Sequence, residues 1–370
     1  MTLANKITTL AILFVLPYTA QLHAKDNFNT EIIASGLGVP WGMTFIANDK
    51  LLISQRGAKI SLLDLSSQQL TSITGLPEIK VEGQGGLFDI ALSPDHQQTG
   101  WIFISYNKYI NGQGATTLAK AKLINDKLTQ WQDIFISQSR TKKSVHYGGR
   151  ISFDDHGHVF LSIGDRGKRS NGQDLSNHAG SIVRLTLDGD TPLDNPFVED
   201  SNALNEIWSY GHRNPQGLFF NTQSQQLWSI EHGPRGGDEI NLVQAGNNYG
   251  WPVISYGKEY YAPLPVGKGT HRPGMQQPIK YYVPSIAPSS LIQYSGKAFP
   301  QWKNNLLIGA LVLEHLNIVA VDEHVQASSE QRLFNELGRI RNVIESPQGW
   351  LYLATDRGQI VKVSPTTDNE

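Results

Sequence analysis

The sequence predicts an all-β protein, a six-bladed β-propeller. Three observations carry this: a recurring strand–turn–strand unit, a composition rich in Gly and Pro, and no stretch of sustained helical periodicity. The units begin at Gly42, Gly86, Gly149, Gly217, Ser290 and Asn342, so neighbours are 44 to 73 residues apart. A period of about 40–50 residues with several strands per unit is the propeller pattern, and longer spacings mark loop insertions. A pair of β-sandwiches would also be strand-rich but does not call for sixfold recurrence.

Each unit reads the same way. A short apolar strand opens it (42–45, 86–89, 149–152, 217–220, 290–293, 342–345). Turn residues follow, such as Asn48-Asp49, Ser93-Pro94-Asp95 and the run from Asp154 to Gly157. A second strand comes next (51–53, 101–104, 158–163, 227–230, 306–308, 350–354), then a third (60–65, 117–123, 181–187, 239–242, 318–321, 359–363).

The bulk properties set limits. The chain has 370 residues and a formal net charge of −2, which gives no basis for capturing nucleic acid or an anionic membrane. It has no Cys, so no disulfide framework, thiol nucleophile or thiolate metal ligand is available; any metal must be held by oxygen or imidazole. Near the N-terminus Lys6 precedes an apolar run from Ile7 to Leu16, and Ala24 ends the region before Lys25 and Asp26. This reads as a signal peptide over residues 1–24, its apolar run too short to span a bilayer. Residues 25–370 are then one exported propeller domain. It would be periplasmic, or secreted if the host lacks an outer membrane, and a monomer or homodimer.

The most informative stretch runs from His146 to Gly167, HYGGRISFDDHGHVFLSIGDRG, and reads as a β-hairpin. With Phe153 opposite His158 across the turn, the ladder carries His146 opposite Asp165 at the open end. A carboxylate that fixes the tautomer of a His is the usual construction of a general base near neutral pH. A surface His beside a turn Asp is the plain alternative. Polar residues just before the first strands converge on one end of a propeller's axis. Here they are Gln84, His146, Arg213 with Asn214, and Arg339 with Arg341. Together they would make a basic, hydrogen-bonding pocket suited to a flat, anionic ligand with many oxygens. A second stretch, residues 206–252, holds Glu231, Asp238 and Glu239 around Gly233-Pro234 and Gly236-Gly237. Carbonyls and carboxylates are the ligands of hard cations, but the spacing is not that of an EF-hand, and from the residues alone Asp238-Glu239 reads first as a solvated turn.

These residues resemble a known family, the soluble quinoprotein sugar dehydrogenases, and within it the aldose sugar dehydrogenase branch. The resemblance rests on PWGMTF (40–45), EGQGGLFDIALSPDH (82–96), the 146–167 stretch, EIWSYGHRNPQG (206–217), EHGPRGGDEIN (231–241), GNNYGWP (246–252) and RIRNV (339–343). It implies a six-bladed propeller using pyrroloquinoline quinone (PQQ) and calcium to oxidise aldose sugars to lactones, with the electron acceptor left open. By the same resemblance His146 is the general base, Asp165 its orienting carboxylate, and Arg213 stabilises the developing oxyanion. Gln84, Arg213, Asn214, Arg339 and Arg341 contact the cofactor. The carbonyls of Gly233 and Pro234 ligate its calcium, while Glu239 and Tyr249 serve a second, structural calcium. Two positions depart from the founding members: Val145 stands where they have an acidic residue, and Val312 where they have a cofactor-contacting Lys. A non-enzymatic binding propeller and a calcium-dependent lactonase are the competing readings; the lactonase needs an acidic axial cluster where this mouth is basic.

Overall fold

The computed structural model describes residues 28–366. The signal peptide expected over residues 1–24 therefore lies outside the described residues. Six four-stranded antiparallel sheets form the propeller. Blades 1 to 5 comprise residues 40–73, 87–136, 151–210, 215–282 and 288–333. Blade 6 joins residues 340–365 to the strand Phe28–Ala34, which pairs antiparallel with Gln359–Pro365 and closes the ring. This closing strand and the outermost strands of the other blades are absent from the sequence reading. Among the described residues helix is limited to His96–Thr99 and three short 3₁₀ turns.

Neighbouring blades bury their facing side chains in six apolar clusters. Leu52, Ile60, Ile90 and Ile104 fill the space between blades 1 and 2, and Leu161, Val183, Phe103 and Leu118 that between blades 2 and 3. Tyr352, Ala354, Met43 and Leu51 seal blade 6 against blade 1. Serines add polar ties from one blade to the next: Ser54 Oγ donates to Phe88 O, Ser105 Oγ to Gly149 O and Ser162 Oγ to Pro215 O.

The axis is plugged by a buried ion pair. Arg150, 4% exposed, donates to Asp89 Oδ1 (3.1 Å), Gln216 O (2.9 Å), Ser289 O (2.8 Å) and Trp41 O (3.4 Å), and its guanidinium stacks 4.0 Å from the Trp41 ring. One side chain on blade 3 thus reaches blades 1, 2, 4 and 5. Burial pushes Asp89 up from its ordinary pKa, against the opposing charge of Arg150.

Every first strand is irregular at the same place. The register slips by one residue between Pro40 and Gly42, Leu87 and Ile90, Pro215 and Gly217, Pro288 and Ser290, and Ile340 and Asn342. Blade 3 shows the same device: Gly149 N–H donates to Ser162 O, while Ser162 N–H donates to Arg150 O. Two residues thus oppose one, a β-bulge that re-aims the chain towards the functional end.

Candidate active site

The bulge corrects the hairpin argument. Phe153 pairs with Val159, not His158, and Ile151 with Leu161, so the regular ladder alone would not face His146 towards Asp165. The extra residue at Gly149–Arg150 restores the expected offset beyond it. Gly149 sits at φ +99°, a region open to Gly. His146 itself is left-handed at φ +50°. It is held there by its N–H, which donates to Gln84 Oε1 at 2.8 Å, and by Arg166, which donates to Val145 O and Lys143 O (3.0 Å). Gly164 lets the two arms close up: a Cβ there would stand 2.4 Å from His146 O.

The result is a short His146 Nδ1–Asp165 Oδ1 contact of 2.7 Å. Asp165, 1% exposed, accepts two further bonds, from Gly167 N–H (2.7 Å) and from the indole N–H of Trp251 (2.8 Å). Burial alone would favour its neutral acid, but the bonds from His146 and Gly167 and the Arg213 charge prevail and hold its pKa below the ordinary value. Burial is also the largest influence on His146 and lowers its pKa. Arg213 and Arg166 act in the same direction, while the Asp165 bond pulls the other way. The imidazole is therefore neutral at pH 7, with Nδ1–H donated to Asp165 and Nε2 free of hydrogen bonds among the described residues.

A cleft of about 190 Å³, lined by Gln84, Asn214, Arg339 and Arg341, adjoins this pair through Gln84, which accepts the His146 N–H; His146 and Asp165 themselves do not line it. It gathers all the cofactor-contact residues expected from the sequence except Arg213. Arg213 lies just behind, its N–H on Glu231 Oε2 (2.6 Å) and its guanidinium on His232 O (3.1 Å). Asn214 is fixed by Gly148 N–H and Gln216 Nε2, both donating to its Oδ1. Arg339 and Arg341 share Asp356: Arg339 Nε donates to Oδ2 at 2.8 Å, and Arg341 holds both oxygens at 2.8 and 2.9 Å.

Sequence reasoning missed Arg56, His232, Leu311, Asp356 and Trp251. The first four lie at one phase of the repeat, the residue just after the second strand, as Asp165 nearly does. That phase was the signal available. His232 donates Nε2–H to Pro288 O at 2.5 Å, and burial lowers its pKa to about 3, so it stays neutral. In blade 5 Leu311 lines the cleft and Val312 is 58% exposed beside it.

The residues fit an anionic, many-oxygened cofactor. Three guanidiniums (Arg56, Arg339, Arg341) face the cleft against one carboxylate, Asp356, leaving net positive charge for a ligand to neutralise. The fit to calcium rests on oxygen atoms. Among the described residues no group of three or more His, Cys, Asp or Glu is placed to hold a metal, so carbonyls would have to contribute. The carbonyls of Gly233 and Pro234 accept no hydrogen bond among the described residues, and the turn is held by Gly233 N–H on Asp238 Oδ1 (2.9 Å). Asp238 is not a solvated turn residue. It is fully buried and also accepts Ser285 Oγ–H and the N–H groups of Ile286 and Ala287 on Oδ2. A neighbouring cavity of about 10 Å³, room for one water-sized occupant, is lined by Glu231, Glu239 and Tyr249 and also by Gly233, Arg213 and His232. Burial and the Glu231 charge push Glu239 well above the ordinary carboxylate pKa, the repulsion a cation would relieve. The Tyr249 hydroxyl does not serve there; it donates to Leu242 O at 2.6 Å, which leaves its carbonyl as the possible ligand.

A six-bladed propeller with a His–carboxylate pair beside an arginine-lined cleft defines a class, and comparison with known proteins gives the family. Residues 37–362 match the Glucose / Sorbosone dehydrogenase family, to which this chain belongs. It is an enzyme, an oxidoreductase, so the reading as a non-catalytic binding propeller falls away. Aldose sugar dehydrogenase YliI of Escherichia coli is 38% identical over 350 residues, 92% of this chain and 94% of that protein. The crystal structure of the soluble aldose sugar dehydrogenase of Escherichia coli in its apo form superposes with a TM-score of 0.87 at 37% identity, covering 92% of this chain and all of that one. The PQQ-bound aldose sugar dehydrogenase of Streptomyces coelicolor gives 0.76 at 25% identity, covering 91% and 98%.

Proposed function

We propose that this chain is an exported, PQQ- and calcium-dependent aldose sugar dehydrogenase that oxidises the anomeric centre of aldoses to lactones. The observation that carries the reading is the His146–Asp165 pair, a neutral imidazole with Nε2 free, held at the edge of an arginine-lined cleft. Relatives that are named aldose sugar dehydrogenases, one of them PQQ-bound, support the same reading.

When bound, PQQ supplies the acceptor for the anomeric hydride and calcium a Lewis acid against its reacting carbonyl. The protein's part is placement and proton transfer. His146 Nε2 takes the proton of the anomeric hydroxyl, while Nδ1–H stays on Asp165, whose carboxylate offsets the imidazolium charge. Arg339, Arg341 and Arg56 would hold the cofactor's carboxylates, with Gln84 and Asn214 at its edge. Arg213, fixed by Glu231 and His232, would meet negative charge developing on the cofactor. Gly233 and Pro234 carbonyls would hold the cofactor's calcium, and Glu239 with the Tyr249 carbonyl a second ion. The leading segment over residues 1–24 would direct the protein to the periplasm. Among the described residues no helix is long and apolar enough to cross a membrane.

The test is reconstitution. Purified apoprotein given PQQ and calcium should reduce a redox dye when an aldose is added, and should do so with several aldoses. No turnover with any aldose, despite measured cofactor binding, would remove the assignment.

A further inference from the structure

Sugar oxidation leaves electrons that must depart through the cleft mouth, and the surface beside that mouth has a distinct chemistry. We infer that the basic, partly apolar rim formed by residues 253–285 and 140–143 docks an acidic one-electron carrier protein; this rests on the sugar-oxidising reading above.

The long excursion between the last two strands of blade 4 builds the rim. It is tied down by a two-pronged ion pair, Arg169 to Glu259 at 2.6 and 2.7 Å, and Tyr260 reaches the site with its hydroxyl 3.5 Å from Arg213. Its outer face is unusually apolar for a surface: Tyr261 is 81% exposed, Tyr260 63%, Val283 58% and Leu264 55%. Close contacts tie the excursion to the turn beside it. Tyr281 stacks on Tyr256 at 3.8 Å, Val283 lies against Gly236, Gly257 abuts Pro234, and Arg235 and Lys258 exchange backbone hydrogen bonds. The surface therefore borders the Gly233–Pro234 turn at the reaction centre.

Charge sets this face apart. Residues 253–287 contain Lys258, Lys268, Arg272 and Lys280 but only one acidic residue, Glu259. Glu259 is neutralised by Arg169, and Lys280 by Glu330, leaving Lys258, Lys268 and Arg272 exposed and outside any ion pair among the described residues. On the His146 side, Arg140, Lys142 and Lys143 are exposed in a loop without acidic residues. The chain as a whole carries −2, so these two segments are basic against a slightly acidic whole. A modest apolar centre within a charged border is the surface of a transient electron-transfer encounter, where charge steers approach and the small dry area permits release. An anionic small molecule would use the charges but not the exposed aromatic and aliphatic side chains.

The electron count fits. Converting an aldose to its lactone releases two electrons and two protons. Two oxidised carriers take one electron each in succession, and the protons pass to solvent.

The probes are a strongly acidic c-type cytochrome and a strongly basic one, offered to the PQQ- and calcium-loaded protein with an aldose. The acidic cytochrome should be reduced much faster, at a rate that falls steeply with added salt. The triple variant Lys142→Glu, Lys258→Glu, Lys268→Glu should lower that rate by about tenfold or more at low salt. It should keep its dye-linked turnover. In surface plasmon resonance, salt-sensitive binding of the acidic cytochrome should be present in the parent and lost in the triple variant. Equal reduction of both cytochromes, equal rates in parent and variant, or reduction of the dye but neither cytochrome would each overturn the docking proposal. So would a triple variant impaired only towards phosphorylated aldoses, since the rim would then steer substrate. A parent that reduces not even the dye would defeat the sugar-oxidising reading itself, and the docking proposal with it.

Discussion

Asp165→Asn probes the pair at its most constrained atom. Three donors converge on this carboxylate: His146 Nδ1–H and Gly167 N–H on Oδ1, and the Trp251 indole N–H on Oδ2. A carboxamide offers an acceptor on one side only, so at least one buried donor must face an NH2 group. A hydrogen bond to a charged group is worth about 1.5–3 kcal/mol, which corresponds to about one to two decades in rate if it is lost from the orientation of His146. If the ring instead turns its tautomer so that Nε2 carries the proton, the general base is gone and the loss approaches about four decades. The pH profile gives a second readout. Asp165 raises the His146 pKa against the lowering effect of burial, so removing its charge lowers that pKa further below 6.5. Activity needs the neutral imidazole and is lost as pH falls through this pKa. The acid limb of kcat against pH should therefore move to lower pH while the plateau drops. Dye-linked kcat measured across the acid range checks both. An unchanged plateau, or an acid limb displaced upwards, would refute the account of the pair.

Arg150→Met should cost about 3–5 kcal/mol in urea unfolding, because Asp89 would be left buried without its partner; adding Asp89→Asn should recover part of the loss. Glu239→Gln should reverse sign with calcium. In chelator it should melt no lower than the parent, since like-charge repulsion with Glu231 is relieved, and with calcium the parent should melt higher. The same order in both conditions would dismiss the second ion site. Leu311→Lys should tighten PQQ binding in a titration of the apoprotein at fixed calcium, whereas Val312→Lys should not, because only Leu311 lines the cleft.

The fold was legible because inner strands announce themselves. The second strand of blade 3 is buried from Val159 to Ile163, and a short, buried, apolar second strand recurs in every unit. Outer strands carry no such pattern. Ala327–Leu333 (ASSEQRL) and Gln69–Ile73 (QLTSI) are mostly exposed, and one-sided burial leaves little hydrophobic signal. The His146–Asp165 contact was foreseen through a register one residue out. Turn residues suggested where the hairpin folds, but the bulge at Gly149 cannot be read from side-chain alternation. Arg150 gave no hint of its axial role, since its partners Asp89, Gln216 and Ser289 lie 61 to 139 residues away. Asp238 looked like a turn residue because composition does not reveal four donors folded back onto it.

The central claim is that His146 removes the substrate proton in a site whose cofactor contacts lie elsewhere. His146→Ala, loaded with PQQ and calcium, tests it most directly when kcat for an aldose and the PQQ titration are measured on the same preparation. The account predicts a kcat lower by about two to four decades with the titration unchanged. Turnover equal to the parent's would contradict it.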